Sequence, residues 1–216
     1  MACTAGGRSR LSRLAYLLFI EPLLAAAKRM VLAMVRSLRA DSVVEVGCGT
    51  CTQALMLARA GIAVTAVDIS ERMFPASRSP RLPGNLRFFQ ADGRSLPLAD
   101  GSYDAALISM SLHEMGPDAR LPVLREMART VKDRGRLLVM DFSFDLRRDW
   151  NWAALLIRLI EWMAGREHNG NMRHFLAAGG LPGLARELGW PVRRHHRVLN
   201  GNGSIFELEI RKPAAP

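Results

Sequence analysis

The sequence predicts an α/β protein: an open, doubly wound sheet of seven strands, mostly parallel, closed by an antiparallel C-terminal hairpin and preceded by N-terminal helices. Three observations carry this. Val43-Val44-Glu45-Val46 is a β-branched run ending in Gly47-Cys48-Gly49, and it opens directly into the helical pattern from Gln53 to Ala60. A second apolar run, Ala63 to Val67, closes on Asp68, so strand, helix and strand follow at the spacing of a βαβ unit. Near the C-terminus, Asn200-Gly201-Asn202-Gly203 separates two strand-like runs and reads as a hairpin turn.

Taken in order, residues 1–9 read as a disordered tail. Leu11 to Ala27 is apolar and has basic flanks, with Glu21-Pro22 interrupting it short of spanning length. Pro22 suits the first turn of a helix running to Leu38, so two short helices are expected to cover the sheet or cap a pocket. An in-plane membrane contact is the alternative reading of that stretch. Thr52 to Arg59 is the helix after the first strand, and Ser70 can cap another beginning at Glu71. Leu86 to Gln90 and Tyr103 to Ser109 are the third and fourth strands, the latter nearly all apolar, as a strand buried on both faces is. Asp118 to Asp133 has Leu121, Leu124, Met127 and Val131 at helical spacing and is expected to stop at Gly135, before a fifth strand from Arg136 to Met140. Trp150 to Met163 is too densely apolar for a surface helix and belongs over the mouth of the site or against the N-terminal helices. Met172 to Ala178 and Leu181 to Leu188 are two short helices parted by Gly179-Gly180, ahead of the hairpin strands around Val192 to Leu199 and Ser204 to Ile210.

The glycine turn has a definite chemistry. Glycines let backbone approach a ligand closely, and the helix that follows presents unpaired N–H groups to it. The dinucleotide-binding version of this turn needs a third glycine where this chain has Thr52, so that reading fails. What remains, Glu45-x-Gly47-x-Gly49 with Asp68 ending the next strand, resembles the first two motifs of class I S-adenosylmethionine-dependent methyltransferases, within the broad subgroup of quinone C-methyltransferases and bacterial phospholipid N-methyltransferases. The resemblance spans roughly Asp41 to Asp141.

It implies a Rossmann-like domain over residues 41–216, with a helical insertion at about 148–188, behind a tail and cap helices at 1–40. It implies S-adenosylmethionine as cofactor: Gly47, Cys48 and Gly49 against the amino-acid end, Glu45 assisting the ammonium, Asp68 accepting the ribose hydroxyls and Ile69 offering an apolar face to adenine. Asp92 and Gly93 match the adenine-reading position, and Ser109 ends the strand beside the turn. Cys51 stands where the family often has glycine, and a packed thiol suits the place.

Beyond the fourth strand, His113 is the candidate proton acceptor and Glu114 the group that orients or replaces it. Asp141, Glu167, His168 and His174 are weaker candidates for the same pocket. Of three cysteines, Cys48-x-x-Cys51 has no second pair at ligand spacing, so no metal site is expected from it. The expected acceptor is a small apolar or lipid-like molecule, quinol or phospholipid in type. The net charge of +10 keeps an RNA or protein methyltransferase as one rival, although no aromatic-basic interleaving accompanies it. A non-catalytic S-adenosylmethionine-binding protein is the other. The expected location is cytoplasmic, with the N-terminal helices as a peripheral contact on the inner face of the membrane.

Overall fold

The computed structural model describes residues 21–70, 82–144, 155, 157 and 165–211. Their elements run in order as α1 (Glu21–Ser37), β1 (Ser42–Val46), α2 (Thr52–Arg59), β2 (Ala63–Asp68), β3 (Leu86–Gln90), β4 (Tyr103–Ser109), α3 (Pro117–Thr130), β5 (Val131–Phe142), α4 (Arg166–Ala177), α5 (Gly180–Leu188), β6 (Val192–Val198) and β7 (Gly203–Glu209). The expected helix before residue 21, the one beginning at Glu71 and the tryptophan-rich stretch after Trp150 fall outside the described residues, save Leu155 and Ile157.

All seven strands join one sheet in the order β3-β2-β1-β4-β5-β7-β6. Pairings from β3 through β5 are parallel, while β7 pairs antiparallel with both β5 and β6. The strand order reverses between β1 and β4. In an open α/β sheet the crevice outside the carboxyl ends of two such strands is where ligands bind.

The period of two along each strand splits the core into two layers. Ala105 and Leu107 of β4 and Leu138 and Met140 of β5 face the layer that holds α1 and α2. Ala106, Ile108, Leu137 and Val139 face the layer that holds α3 and α5. Glu45 alternates with Val44 and Val46, so it shares the face of Val43, toward α1 and α2. Helix α1 seals that layer with Leu24, Ala27, Val31, Met34 and Val35. Its buried Lys28 ammonium donates to the Thr52 hydroxyl at the start of α2. The apolar face of α1 is therefore spent on the core.

One boundary differs from the sequence expectation. The third helix stops at Thr130, and β5 begins at Val131 and runs through Gly135. The Thr130 hydroxyl donates to the Met127 carbonyl (2.7 Å) and Val131 turns extended to pair with Tyr103. Gly135 is not a helix stop. A Cβ there would lie 2.2 Å from Val131 Cγ1 and 2.7 Å from the Asp104 carbonyl, so the glycine permits the irregular crossing of β4 and β5. The fourth helix also starts earlier than expected, at Arg166 instead of Met172.

Candidate active site

The turn after β1 is built by backbone geometry that its residues dictate. Gly47 and Gly49 both take positive φ, +67° and +51°. A Cβ on Gly47 would lie 2.5 Å from Ser111 Oγ, which instead donates to the Gly47 carbonyl at 2.9 Å. That bond ties the turn after β1 to the loop after β4 across the crevice. Cys51, at φ 60°, takes the left-handed cap position of α2, and its buried Sγ sits 3.4 Å from Cys48 Sγ. Both cysteines are free thiols, and burial together with the Cys51 contact pushes the Cys48 thiol well above its ordinary range. They pack; they are not poised as nucleophiles.

Asp68 holds this turn from β2. Its Oδ2 accepts the Gly49 N–H (2.9 Å) and its Oδ1 the Ser70 N–H (3.0 Å). Two oxygens carry about four acceptor positions, so roughly two stay open for hydroxyls. Partial burial raises the Asp68 carboxyl above the usual range, against the pull of those backbone donors. Ile69 beside it is 59% exposed, an apolar side chain left on the surface at the mouth. On the far side, Asp92 is gripped by the Arg94 guanidinium (2.6 to 3.1 Å) and accepts the Arg94 N–H (2.9 Å). Arg94 holds the Asp92 carboxyl below the usual range. Gly93 has no room for a side chain, since a Cβ would lie 2.9 Å from Val46.

Glu45 is the unusual member. It is 2% exposed, and its Oε2, like Oε1 of buried Gln53 at the start of α2, has no hydrogen-bond partner among the described residues. Burial pushes its carboxyl up to about 8, although nearby Lys28 pulls the other way. A buried acceptor without a donor is costly.

The loop after β4 is held differently. Asp141, fully buried at the end of β5, accepts the N–H groups of Leu112 (2.9 Å), His113 (3.2 Å) and Phe142 (2.7 Å). His113 Nδ1 lies 2.7 Å from its Oδ1. An ionised carboxylate only accepts, so Nδ1 carries the hydrogen of this bond. The buried ring rests against Phe142 and meets His168 edge to face at 5.6 Å between centroids. Arg120, itself buried, donates to the carbonyls of Leu112 (3.0 Å), Met115 (2.9 Å) and Asn171 (2.7 Å), and Asn171 Nδ2 donates to the Glu114 carbonyl (2.8 Å).

Residues 43–135 match the family described as methyltransferase domain. This segment, less than half of the chain, is similar to that domain. Its glycine turn, β2 carboxylate and post-β4 loop lie inside the matched residues or at their edge. The demethylmenaquinone methyltransferase of Corynebacterium kroppenstedtii is 39% identical over 103 residues, 48% of this chain and 42% of that protein. That of Renibacterium salmoninarum is 34% identical over 116 residues, 54% of this chain and 47% of that one. The matches thus span less than half the length of these relatives. Among solved structures, a SAM-dependent methyltransferase from Aquifex aeolicus is 19% identical, covers 79% of this chain and 82% of its own, and has a TM-score of 0.56. The Burkholderia thailandensis 1,6-didemethyltoxoflavin-N1-methyltransferase, solved with S-adenosylhomocysteine, is 18% identical, with 94% and 90% coverage and a TM-score of 0.60. These two likenesses establish the fold.

The crevice at the β1/β4 reversal gathers Glu45, Gly47, Cys48, Gly49, Asp68 and Ser109 around one turn. Asp92 and Gly93 close its β3 side. His113, Glu114 and His168 converge on the other side, whereas His174 is turned to Arg120 (3.2 Å) and Glu167 is exposed. Sequence reasoning missed Arg120 and Asn171, because each acts on carbonyls of the loop, which leave no trace in side-chain spacing. The basic cluster on β6 is partly neutralised: Arg193 pairs with Glu209, and Arg194 lies 3.3 Å from Glu207. Among the described residues no helix is long and apolar enough to cross a membrane.

Proposed function

We propose that the chain transfers a methyl group from S-adenosylmethionine to a small apolar acceptor of the quinol type, the class its demethylmenaquinone methyltransferase relatives are named for. The observation that carries the reading is the buried, unpartnered Glu45 oxygen behind the glycine turn. Its oxygen lacks a partner, and beside the ammonium of the cofactor's methionine end the carboxyl would ionise and accept from it, directly or through water. Asp68 keeps acceptor positions for the ribose diol while fixing Gly49, and exposed Ile69 gives adenine an apolar face. Asp92 shares its carboxylate between Arg94 and the adenine amino group.

The sulfonium is an activated donor, so alignment supplies much of the rate. S-adenosylmethionine, when bound, would supply the methyl group and keep the C–S electron pair on sulfur; His113 Nε2 would take the acceptor's hydroxyl proton as the ring carbon is methylated, and that carbon's own proton would pass to the oxygen as the ring regains aromaticity. Glu114 orients the acceptor at the rim. Peripheral membrane contact, where a quinol would be met, then falls to residues 11–20, because α1 spends its apolar face on the core.

Calorimetric titration with S-adenosylmethionine and S-adenosylhomocysteine, beside nicotinamide dinucleotides, tests the reading. Micromolar binding of the first pair alone is the expected result. A folded sample that binds neither sulfur compound would falsify it.

A further inference from the structure

Three side chains on the acceptor side of the crevice come together from two separate segments. His113, Glu114 and His168 each bring one donor atom, and these atoms all lie within 4.8 Å of one another, with His113 Nε2 3.9 Å from Glu114 Oε1. We infer that these residues form a binding site for a single divalent transition-metal ion of the zinc class.

The geometry is close to what such an ion needs. With bonds of about 2.0 to 2.2 Å, a tetrahedral zinc holds neighbouring donors about 3.3 to 3.5 Å apart. Closing the cluster to that spacing takes shifts of about an ångström. Glu114 has a side chain 40% exposed and His168 is half-buried, while His113 is locked. The lock is the arrangement that metal-binding imidazoles use: Nδ1–H donates to a buried carboxylate, Asp141, which fixes the ring with Nε2 toward Glu114.

The frame around the cluster joins the two ligand-bearing segments. Asn171 lies three residues after His168, on the same face of α4, and its amide holds the Glu114 carbonyl. Arg120 binds the Leu112 and Met115 carbonyls on one side and the Asn171 carbonyl on the other. Two side chains, Asn171 and Arg120, thus hold α4 against the loop with His168 facing His113. Two imidazoles and one carboxylate prefer zinc, cobalt or ferrous iron over magnesium or calcium, and three protein donors leave at least one coordination position for a further ligand.

The cysteine spacing that excluded a metal in the sequence concerned a different place, the Cys48–Cys51 pair. Ion binding does not depend on the proposed methyl transfer. The two meet at one atom, because an ion on His113 Nε2 takes the lone pair that otherwise takes a proton.

The test is Co2+ titration of the tag-free full chain, followed by its visible ligand-field absorption, with Zn2+ as competitor. One equivalent of Co2+ displaced by Zn2+ is expected. His168→Ala and Glu114→Gln, checked for intact urea unfolding, should each weaken binding by at least about tenfold, the loss typical of disturbing such a site. The double variant Cys48→Ser/Cys51→Ser should bind as the parent does. The inference is overturned if the parent takes up no stoichiometric Co2+, if both ligand variants bind like the parent, or if only the cysteine variant loses binding. Titrating the same samples with S-adenosylmethionine reports on the proposed function separately.

Discussion

The two walls of the crevice are built on opposite plans. The wall after β1 is a local object: five consecutive residues, two of them glycines at positive φ, with a carboxylate behind them that has an oxygen to spare. The wall after β4 is an assembly in which Asp141, Arg120 and Asn171 reach in from β5, α3 and α4 and bond five of the eight backbone groups of Leu112 to Met115. An unsatisfied site is one prepared for a ligand. A fully satisfied one holds its side chains still while something else moves past them.

Asp141 should be the most damaging place to break this contrast. Asp141→Ala removes the acceptor of three buried N–H groups and of the His113 ring, and each orphaned donor costs about 1 to 3 kcal/mol. A loss of about 3 kcal/mol or more is expected in urea unfolding; a loss below about 1 kcal/mol would mean that the loop supports itself. Next is His113→Gln, which should slow turnover about a hundredfold or more and leave S-adenosylmethionine affinity within a few fold. Equal turnover in variant and parent would make the ring a packing element only.

On the other wall the effects should appear in binding. Asp68→Ala should weaken S-adenosylmethionine by about 1.5 to 3 kcal/mol, the scale of hydrogen bonds to a charged group, or about ten- to 150-fold in Kd. Unchanged affinity would move the ribose elsewhere. A pH slope tests Glu45. Its folded carboxyl, raised from 4.5 to about 8, binds a proton more tightly than in the unfolded chain. Its contribution to ligand-free stability therefore falls as pH rises from about 4.5 to about 8 and is level beyond both limits. Glu45→Gln should flatten that slope in urea unfolding at pH 5 and pH 8. A slope identical to the parent's would assign the titration to another group.

The same contrast explains what could be read without coordinates. Val43 to Gly49 and Thr52 to Arg59 announce themselves because strand period, glycine turn and helix pattern are all local. The end of α3 does not, because Val131 sits where a fourth helical contact belongs and only its pairing with Tyr103 pulls it into β5. The first turn of α4 contains Asn169 and Gly170, poor helix formers that read as a loop. Asn171 binding the Glu114 carbonyl makes it a docked helix instead. His113 was legible as a candidate from its place after β4. Its bond to Asp141 and its approach to His168 follow from sheet register and helix docking, which no spacing encodes.

The sheet order also sets a timetable for synthesis. Strand β7 lies between β5 and β6 and pairs with both along their length, from Arg136 to Phe142 on one side and Val192 to Val198 on the other. A chain emerging from the ribosome can pair β1 through β5 early, but β5 then exposes a raw edge and β6 has nothing to pair with. Both wait for residues 203–209, the last strand to appear. Until it slots in, the nascent protein carries two open strand edges of the kind that recruit other chains. Truncation before Gly203 should therefore show first as aggregation during expression, before any change in ligand binding can be measured.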